Sequence, residues 1–593
     1  MPDTAMTADL PVWDLTDLYP AQDSAEVKQD VDTALSRARD FETRYSGKIA
    51  DLSGADLAQA IRDYEVIDEI LTKLLSYASL LHAGDVTDAK IGQFYQTMRE
   101  KATEANGHTL FFSLELNRIE EADLRAKLAD SADLARYRPW LDALRLFRPH
   151  QLSDDIEKLL LDKSVAGAGA WMRLFDETSA KLRFAFRGEE LTQTEILHKM
   201  QDRDATVRKE ASTALGTVLG ENISTFALIT NTLAKDKEVE DKWRGFDRPI
   251  SSRNLSNQVE DEVVDALIKA VQDMYPRLSH RYYKIKARWM GQEKLDYWDR
   301  LAPPPADDDR TFSWDEAKKI VFDAYSDFSP DMAAVGQRFF DNDWIDVGPR
   351  PGKSGGAFAH PTVPSAHPYL LLNFQGKARD IMTLAHELGH GVHQVLAGKQ
   401  GQLLADTPLT LAETASVFGE MLTFKSMLAA TQDPTARRAV LASKIEDMIN
   451  TVVRQIAFCD FERRVHDARR DGELTPDAIG DIWMAVSEES LGDVFRFDDP
   501  YRNYWAYIPH FIHSPFYVYA YAFGDCLVNA LYAKYEAEPD GFQTKYMEML
   551  AAGGTLRHGE LLAPFGLNAA DPDFWKLGLG VLEGFIDELD ATF

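Results

Sequence analysis

The sequence predicts a mostly α-helical protein, and three observations carry that prediction. Apolar residues recur at helical spacing wherever a period is visible. One short apolar run, 369–374, is the best strand candidate, although a run this short also fits a helix. Two stretches rich in Pro and Gly, 301–313 and 348–368, read as loops between helical segments.

In chain order, Val27, Val31, Ala34, Leu35, Ala38 and Phe41 place a helix over 24–45. Residues 57–82 repeat the pattern. At 153–161 a Ser-Asp-Asp start precedes an apolar run, which is a helix start. Residues 260–274 are helical by the same spacing. The loop at 301–313 holds Pro303, Pro304 and Pro305 before three aspartates. The loop at 348–368 holds four glycines and five prolines, and long loops in compact proteins are often functional. After the strand candidate 369–374 the helical pattern resumes at Asp380, a capping residue type, and Gly398 is the natural stop.

Length and composition narrow the function. The chain has 593 residues with 65 Lys+Arg against 96 Asp+Glu, a formal charge of −31. Nucleic-acid binding needs a basic footprint, so that partner class is excluded. Docking on an anionic membrane is excluded for the same reason. The least polar stretch, 516–533, carries Asp525 and four tyrosines, and so is no membrane span. Two distant cysteines and a first basic residue at Lys28 point to a reducing compartment, the cytoplasm, with no disulfide.

Residues 386–390 read H-E-L-G-H. On a helix, His386 and His390 lie on one face a turn apart and can bind one Zn²⁺. Glu387 then serves as general base toward a water that the metal activates. Chance supplies such a pattern about 0.02 times in a chain of this composition. Gly389 and Gly391 weaken the helix by roughly 1 kcal/mol each, a cost tolerated where something approaches the backbone closely. A third ligand is needed. His393 faces the same side, but seven residues are ~10.5 Å along the axis, too far to share the ion. It is a packing residue or one that touches a ligand from behind. Downstream, Thr407-Pro408 starts a helix whose apolar run 411–420 puts Glu413, Ser416 and Glu420 on one face. Glu413 is the expected ligand and Glu420 the acceptor for a ligand histidine's N–H. Residues 501–521 concentrate six tyrosines with His510 and His513. A helix is expected from Ser514-Pro515, which puts Tyr517 and Tyr521 on one face and Tyr519 on another. Aromatic packing and donation to a developing oxyanion are both open for these residues.

The pieces H-E-L-G-H (386–390), L-A-E-T-A-S (411–416) and P-H-F-I-H-S-P-F-Y-V-Y-A-Y-A-F-G (509–524) together resemble the zinc oligopeptidases of the thimet oligopeptidase and oligoendopeptidase F family. The oligoendopeptidase F branch is the nearer one. W-D-L-T-D-L-Y-P (13–20), R-P-H-Q-L-S (148–153) and G-K-S-G-G-A-F (352–358) extend the match along the chain. The resemblance implies a two-lobed helical metallopeptidase with a deep central substrate channel and a small β element beside the zinc helix. It implies an N-terminal helical lobe over 1–200 and a catalytic lobe over 201–593. It implies one zinc per chain on His386, His390 and Glu413, catalysis by Glu387, and oxyanion donors His510, Tyr517 and Tyr521, with His513 as a substitute. Glu420, His513, Tyr519 and His393 are expected behind the ligands or against substrate. The implied activity is endopeptidase cleavage of short, unfolded peptides. Apart from the resemblance, the strand at 369–374 is expected to add the substrate as a β-strand. Two rivals stay open: a carboxydipeptidase, with Arg350, Lys353 or Arg379 holding the substrate's terminal carboxylate, and a peptide-binding protein without catalysis. Between 345 and 400 there are five Lys+Arg and three acids, so the acidic excess lies elsewhere, on a solvated exterior.

Overall fold

The computed structural model describes residues 10–304 and 310–593, and within them the chain is mostly helical. The aspartate run of the expected 301–313 loop lies outside the described residues from 305 to 309. The chain forms two compact units. One comprises Met1–Arg148, Asp309–Ala430 and Tyr535–Gly566; the other comprises Pro149–Asp308, Thr431–Lys534 and Leu567–Phe593. The boundary expected at residue 200 falls inside the second unit.

In the first unit, helices Ala25–Tyr45, Gly54–Gly84 and Ala89–Arg118 pack on one another. Each starts on a side-chain cap: Ser24 accepts the Val27 N–H, Ser53 that of Asp56, and Asp88 those of Lys90 and Ile91. Their apolar faces close a core around Phe41, Ile61, Phe112, Leu116 and Leu141, where the Phe41 and Phe112 rings meet edge to face at 5.1 Å.

The β element is a three-stranded sheet ordered Ile345–Asp346, Tyr369–Leu371, Phe358–His360. The strand expected over 369–374 is thus its central member, parallel to one neighbour and antiparallel to the other. Two corrections follow. The expected loop 348–368 contains an edge strand, and the paired central strand has no free edge to offer a substrate. The apolar signal found the central strand because it is buried throughout. It missed the half-buried Phe358–His360. The N-terminal W-D-L-T-D-L-Y-P segment lies along this sheet: Tyr369 donates to the Asp14 carbonyl, and the Trp13 and Tyr369 rings meet at 6.1 Å.

In the second unit, Phe184–Phe186 and Glu189–Leu191 form a hairpin, and Leu295–Asp296 pairs in parallel with Phe495–Arg496. Most of the rest is helical, including Asp261–Met274, Arg454–Arg470, Pro476–Leu491 and most of Tyr519–Ala537. Cys459 and Cys526 are buried free thiols here. Among the described residues no helix is long and apolar enough to cross a membrane.

Candidate metal centre

The H-E-L-G-H motif sits in the helix Ala378–Ala397. Asp380 is its third residue rather than its cap: the Asp380 carboxylate reaches back to accept the N–H groups of Gln375 and Lys377. Ala397 ends the helix as expected, but Gly398 stays right-handed and opens a single 3-10 turn.

The second helix differs more from expectation. Pro408 precedes a short helix, Leu409–Ala412, as its cap. The chain then breaks at Glu413 and restarts as Thr414–Ala430. The break places Glu413 at a helix start, with Ser416 Oγ donating to its carboxylate at 2.7 Å and to its carbonyl at 3.1 Å. Glu420, two turns on, faces Nδ1 of His386, whose Nε2 faces Glu413.

The two helices touch at Gly389. A methyl on Gly389 would lie 2.5 Å from the Ala415 carbonyl oxygen and 2.7 Å from the Ser416 Cα. This is the close approach that offsets glycine's poor helix propensity. A methyl on Gly419 would lie 2.1 Å from the Tyr325 hydroxyl, which donates to the Ala385 carbonyl at 2.5 Å. Tyr325 therefore clamps the turn just before the motif.

His386, His390 and Glu413 each bring one ligand atom within 4.8 Å of the others. Glu413 Oε2 is 3.3 Å from His386 Nε2 and 3.5 Å from His390 Nε2. Behind them, Glu420 Oε2 is 3.3 Å from His386 Nδ1, the position that fixes a ligand tautomer. Glu387 is 7% exposed and faces the Ala359 N–H on the edge strand. Burial raises its carboxyl to about 7, against the pull of His386 and with repulsion from Glu413. Burial opposes a charged His386, yet the Glu420 contact and the Glu413, Glu420 and Glu387 charges together raise it to about 9. Burial lowers His390, with Glu413 working against it and His386 adding to it. Three carboxylates around two imidazoles leave surplus negative charge, and two nitrogens with one oxygen are the donor set of a catalytic zinc. The residues fit a divalent ion. His393 is buried beside His390, where burial lowers it to about 4, and the Ala412 carbonyl faces both imidazoles.

In the second unit the expected helix from Ser514 begins instead at Tyr519. Phe516 adopts φ +58° with its ring fully buried, and its N–H donates to the buried Glu462 carboxylate at 2.8 Å. A bulky residue at positive φ cannot sit in a helix, so the chain stays irregular through 514–518. Tyr517 therefore lies before the helix, yet its ring comes within 5.3 Å of Tyr521. His510 joins them, with Nε2 at 3.4 Å from the Tyr521 hydroxyl and its ring 6.2 Å from Tyr517. Burial lowers His510, which favours the neutral imidazole. His513 pairs instead with Asp176 at 2.8 Å, and the buried Tyr519 hydroxyl accepts from Asn257 at 2.8 Å. Sequence reasoning missed Arg253, which donates to the Pro515 carbonyl and lies 5.9 Å over Tyr517. It also missed Glu462. Neither falls in a motif.

Arg350 and Lys353 are structural. Arg350 grips the buried Asp346 carboxylate with both Nη atoms, at 2.6 and 2.7 Å. Lys353 Nζ donates to the same carboxylate and to three carbonyls. Arg379 is exposed on the first turn of the motif helix.

The comparisons with known proteins fit this geometry. Residues 198–581 match the model of peptidase family M3, and residues 115–184 match that of oligopeptidase F. Group B oligopeptidase PepB of Streptococcus agalactiae is 28% identical over 98% of this chain and 96% of its own length. A crystallised chain from Chlamydophila abortus superposes with a TM-score of 0.89 at 23% identity, covering 98% of each chain. Oligoendopeptidase-F of Enterococcus faecium gives 0.70 at 20%, covering 96% of this chain and 99% of that one. These two likenesses speak for the fold; the family model and the full-length relatives speak for the lineage. The chain belongs to peptidase family M3, on its oligoendopeptidase F side, and is a metallopeptidase that takes peptides as substrates.

Proposed function

We propose that this metallopeptidase binds one zinc ion per chain on His386, His390 and Glu413 and hydrolyses internal bonds of short, unfolded peptides. The observation that carries this is the convergence of three ligand atoms within 4.8 Å, with Glu420 behind His386 and Glu387 beside them. Zinc, when bound, acts as a Lewis acid and brings the pKa of a coordinated water toward ~7. Glu387 takes the attacking water's proton and passes it to the leaving amine, a role that its place one residue after His386 on the same helix allows. His510, Tyr517 and Tyr521 donate to the oxyanion that develops on the scissile carbonyl. Glu420 holds His386 in the tautomer that presents Nε2. His393 supports the motif helix by packing, while His513 and Tyr519 hold the segment that carries the donors.

The peptide lies along the sheet's outer strand, Phe358–His360, beside Glu387, and is read through its backbone. Broad sequence tolerance is the expected consequence. Endopeptidase action is supported by Arg350 and Lys353 being committed to Asp346, which removes two of the three cations considered for gripping a substrate's terminal carboxylate. In the same reading the sequence divides into an N-terminal region, 1–200, and a catalytic region, 201–593, and the family match from 198 onward supports that division. Two buried free thiols and the acidic balance support a cytoplasmic enzyme without nucleic-acid or membrane partners.

The test pairs zinc analysis with cleavage mapping on a random peptide pool. Glu387→Gln is expected to keep one zinc per chain and lose 10²- to 10⁴-fold in cleavage rate. Turnover close to wild type in a zinc-loaded Glu387→Gln would sink the assignment.

A further inference from the structure

The second unit contains a cavity with no part in the chemistry above. It occupies about 50 Å³ and is lined by Arg300, Arg454, Asn450, Tyr283, Tyr507 and Trp483 among others. That is room for a few waters or one small ion, and too little for a peptide.

Its charge is unbalanced. Arg300 Nη1 donates to Asn450 Oδ1 at 3.0 Å, and Arg454 Nη2 donates to the Tyr507 hydroxyl at 3.0 Å. Among the described residues neither guanidinium has a carboxylate within ion-pair distance. The nearby acids already have partners: Asp299 is held by Arg208 at 2.6 Å, and Glu446 by Lys286. Two cations thus share one cavity with none of the anions that arginines in such places normally have. Burial first, and the Arg300 charge second, hold the Arg454 guanidinium below its ordinary value.

Two further features point the same way. The Trp483 side chain is 4% exposed, lines the cavity, and its indole N–H has no acceptor. An orphaned buried donor marks a missing acceptor. The wall that carries Asn450 and leads into Arg454 is a π-helical turn, Ile449–Val453, between Pro434–Met448 and Arg454–Arg470. Such turns cost helix stability and recur at functional sites.

We propose that this cavity is a binding site for one small oxyanion, inorganic phosphate or a small carboxylate, gripped by Arg300 and Arg454. Guanidinium forks match oxyanions in a way that a spherical ion does not exploit. The bound anion neutralises the pair and ties the π-helical turn to the 297–301 segment.

Equilibrium dialysis of the zinc-loaded enzyme with labelled inorganic phosphate, and separately with labelled acetate, tests this at constant ionic strength in chloride. One saturable site per chain is expected for at least one probe, and the probe that saturates identifies a tetrahedral or a planar ligand. Arg300→Gln and Arg454→Gln are each expected to weaken it ~10- to 100-fold. Arg464→Gln, which breaks the surface pair with Glu489, leaves it unchanged. Arg454→Lys keeps the charge, removes the fork, and also weakens binding. If the glutamine variants fail to fold, a thermal shift of wild type by the same probe against matched chloride supplies the second readout. Absence of saturable binding in wild type overturns the proposal. So does binding that persists unchanged in Arg300→Gln and Arg454→Lys.

Discussion

Gly389→Ala changes no ligand, yet it should loosen the metal. The added methyl falls 2.5 Å from the Ala415 carbonyl oxygen and 2.7 Å from the Ser416 Cα. Ordinary contact is about 3.5 Å, so the two helices must part by about 1 Å. Both obstacles are backbone and cannot swing aside. Glu413 stands at the start of the displaced helix, and metal sites tolerate ligand errors of only about 0.2 Å. In the metal-free protein the helices relax apart, and the strain returns when metal draws Glu413 back toward His386 and His390. Overpacking of this kind costs about 1–3 kcal/mol, which converts to roughly 5- to 150-fold weaker metal binding. Alanine meanwhile gains about 1 kcal/mol of helix propensity over glycine, so the melting temperature of the metal-free protein should change little. Competition against a chelator of known affinity reads the first quantity, and thermal melting followed by circular dichroism reads the second. Metal affinity equal to wild type in a folded Gly389→Ala would refute the claim that this helix contact sets the ligand geometry.

His510→Ala and Tyr521→Phe should each lower kcat on a short peptide ~10²- to 10³-fold with KM little changed, because donors to a developing oxyanion act chiefly in the transition state. A rise in KM alone would reassign them to substrate binding. Glu462 is 2% exposed, and burial raises its carboxyl to about 8 despite the opposing Phe516 N–H and Arg253. Its folded-state pKa exceeds the unfolded one, so its contribution is intact below about pH 4.5 and declines as pH rises toward 8. Glu462→Gln keeps an acceptor for Phe516 and should flatten that decline, as denaturant melts between pH 5 and 9 would reveal. Tyr325→Phe removes the clamp on Ala385 and should cost about 0.5–1.5 kcal/mol of stability, measured by the same melts.

The candidate metal centre was legible because it is local. His386, Glu387 and His390 are set by helix periodicity alone, and the carboxylates of the next helix by the rule that buried acids need partners. Glu413 illustrates the limit. The periodic reading put it inside one helix with Ser416 and Glu420, whereas the chain breaks there and the glutamate serves from a helix start. Glu413 still comes within 4.8 Å of both imidazoles, and Ser416 donates to its carboxylate. The 514–518 segment failed more fully. Ser-Pro is a sound helix start locally, but a buried glutamate 54 residues earlier holds Phe516 at positive φ, and no local pattern carries that contact. The sheet shows the same division: the fully buried strand was visible, and the half-buried edge strand beside Glu387 was not.

Cleavage of a short peptide blocked at both termini, followed by mass spectrometry, tests the central claim most directly. The zinc-loaded enzyme should produce internal fragments, lose this activity on chelation while remaining folded, and regain it when zinc is returned. Cleavage that survives complete removal of metal, or an enzyme that releases dipeptides from free ends and leaves the blocked peptide whole, would contradict it.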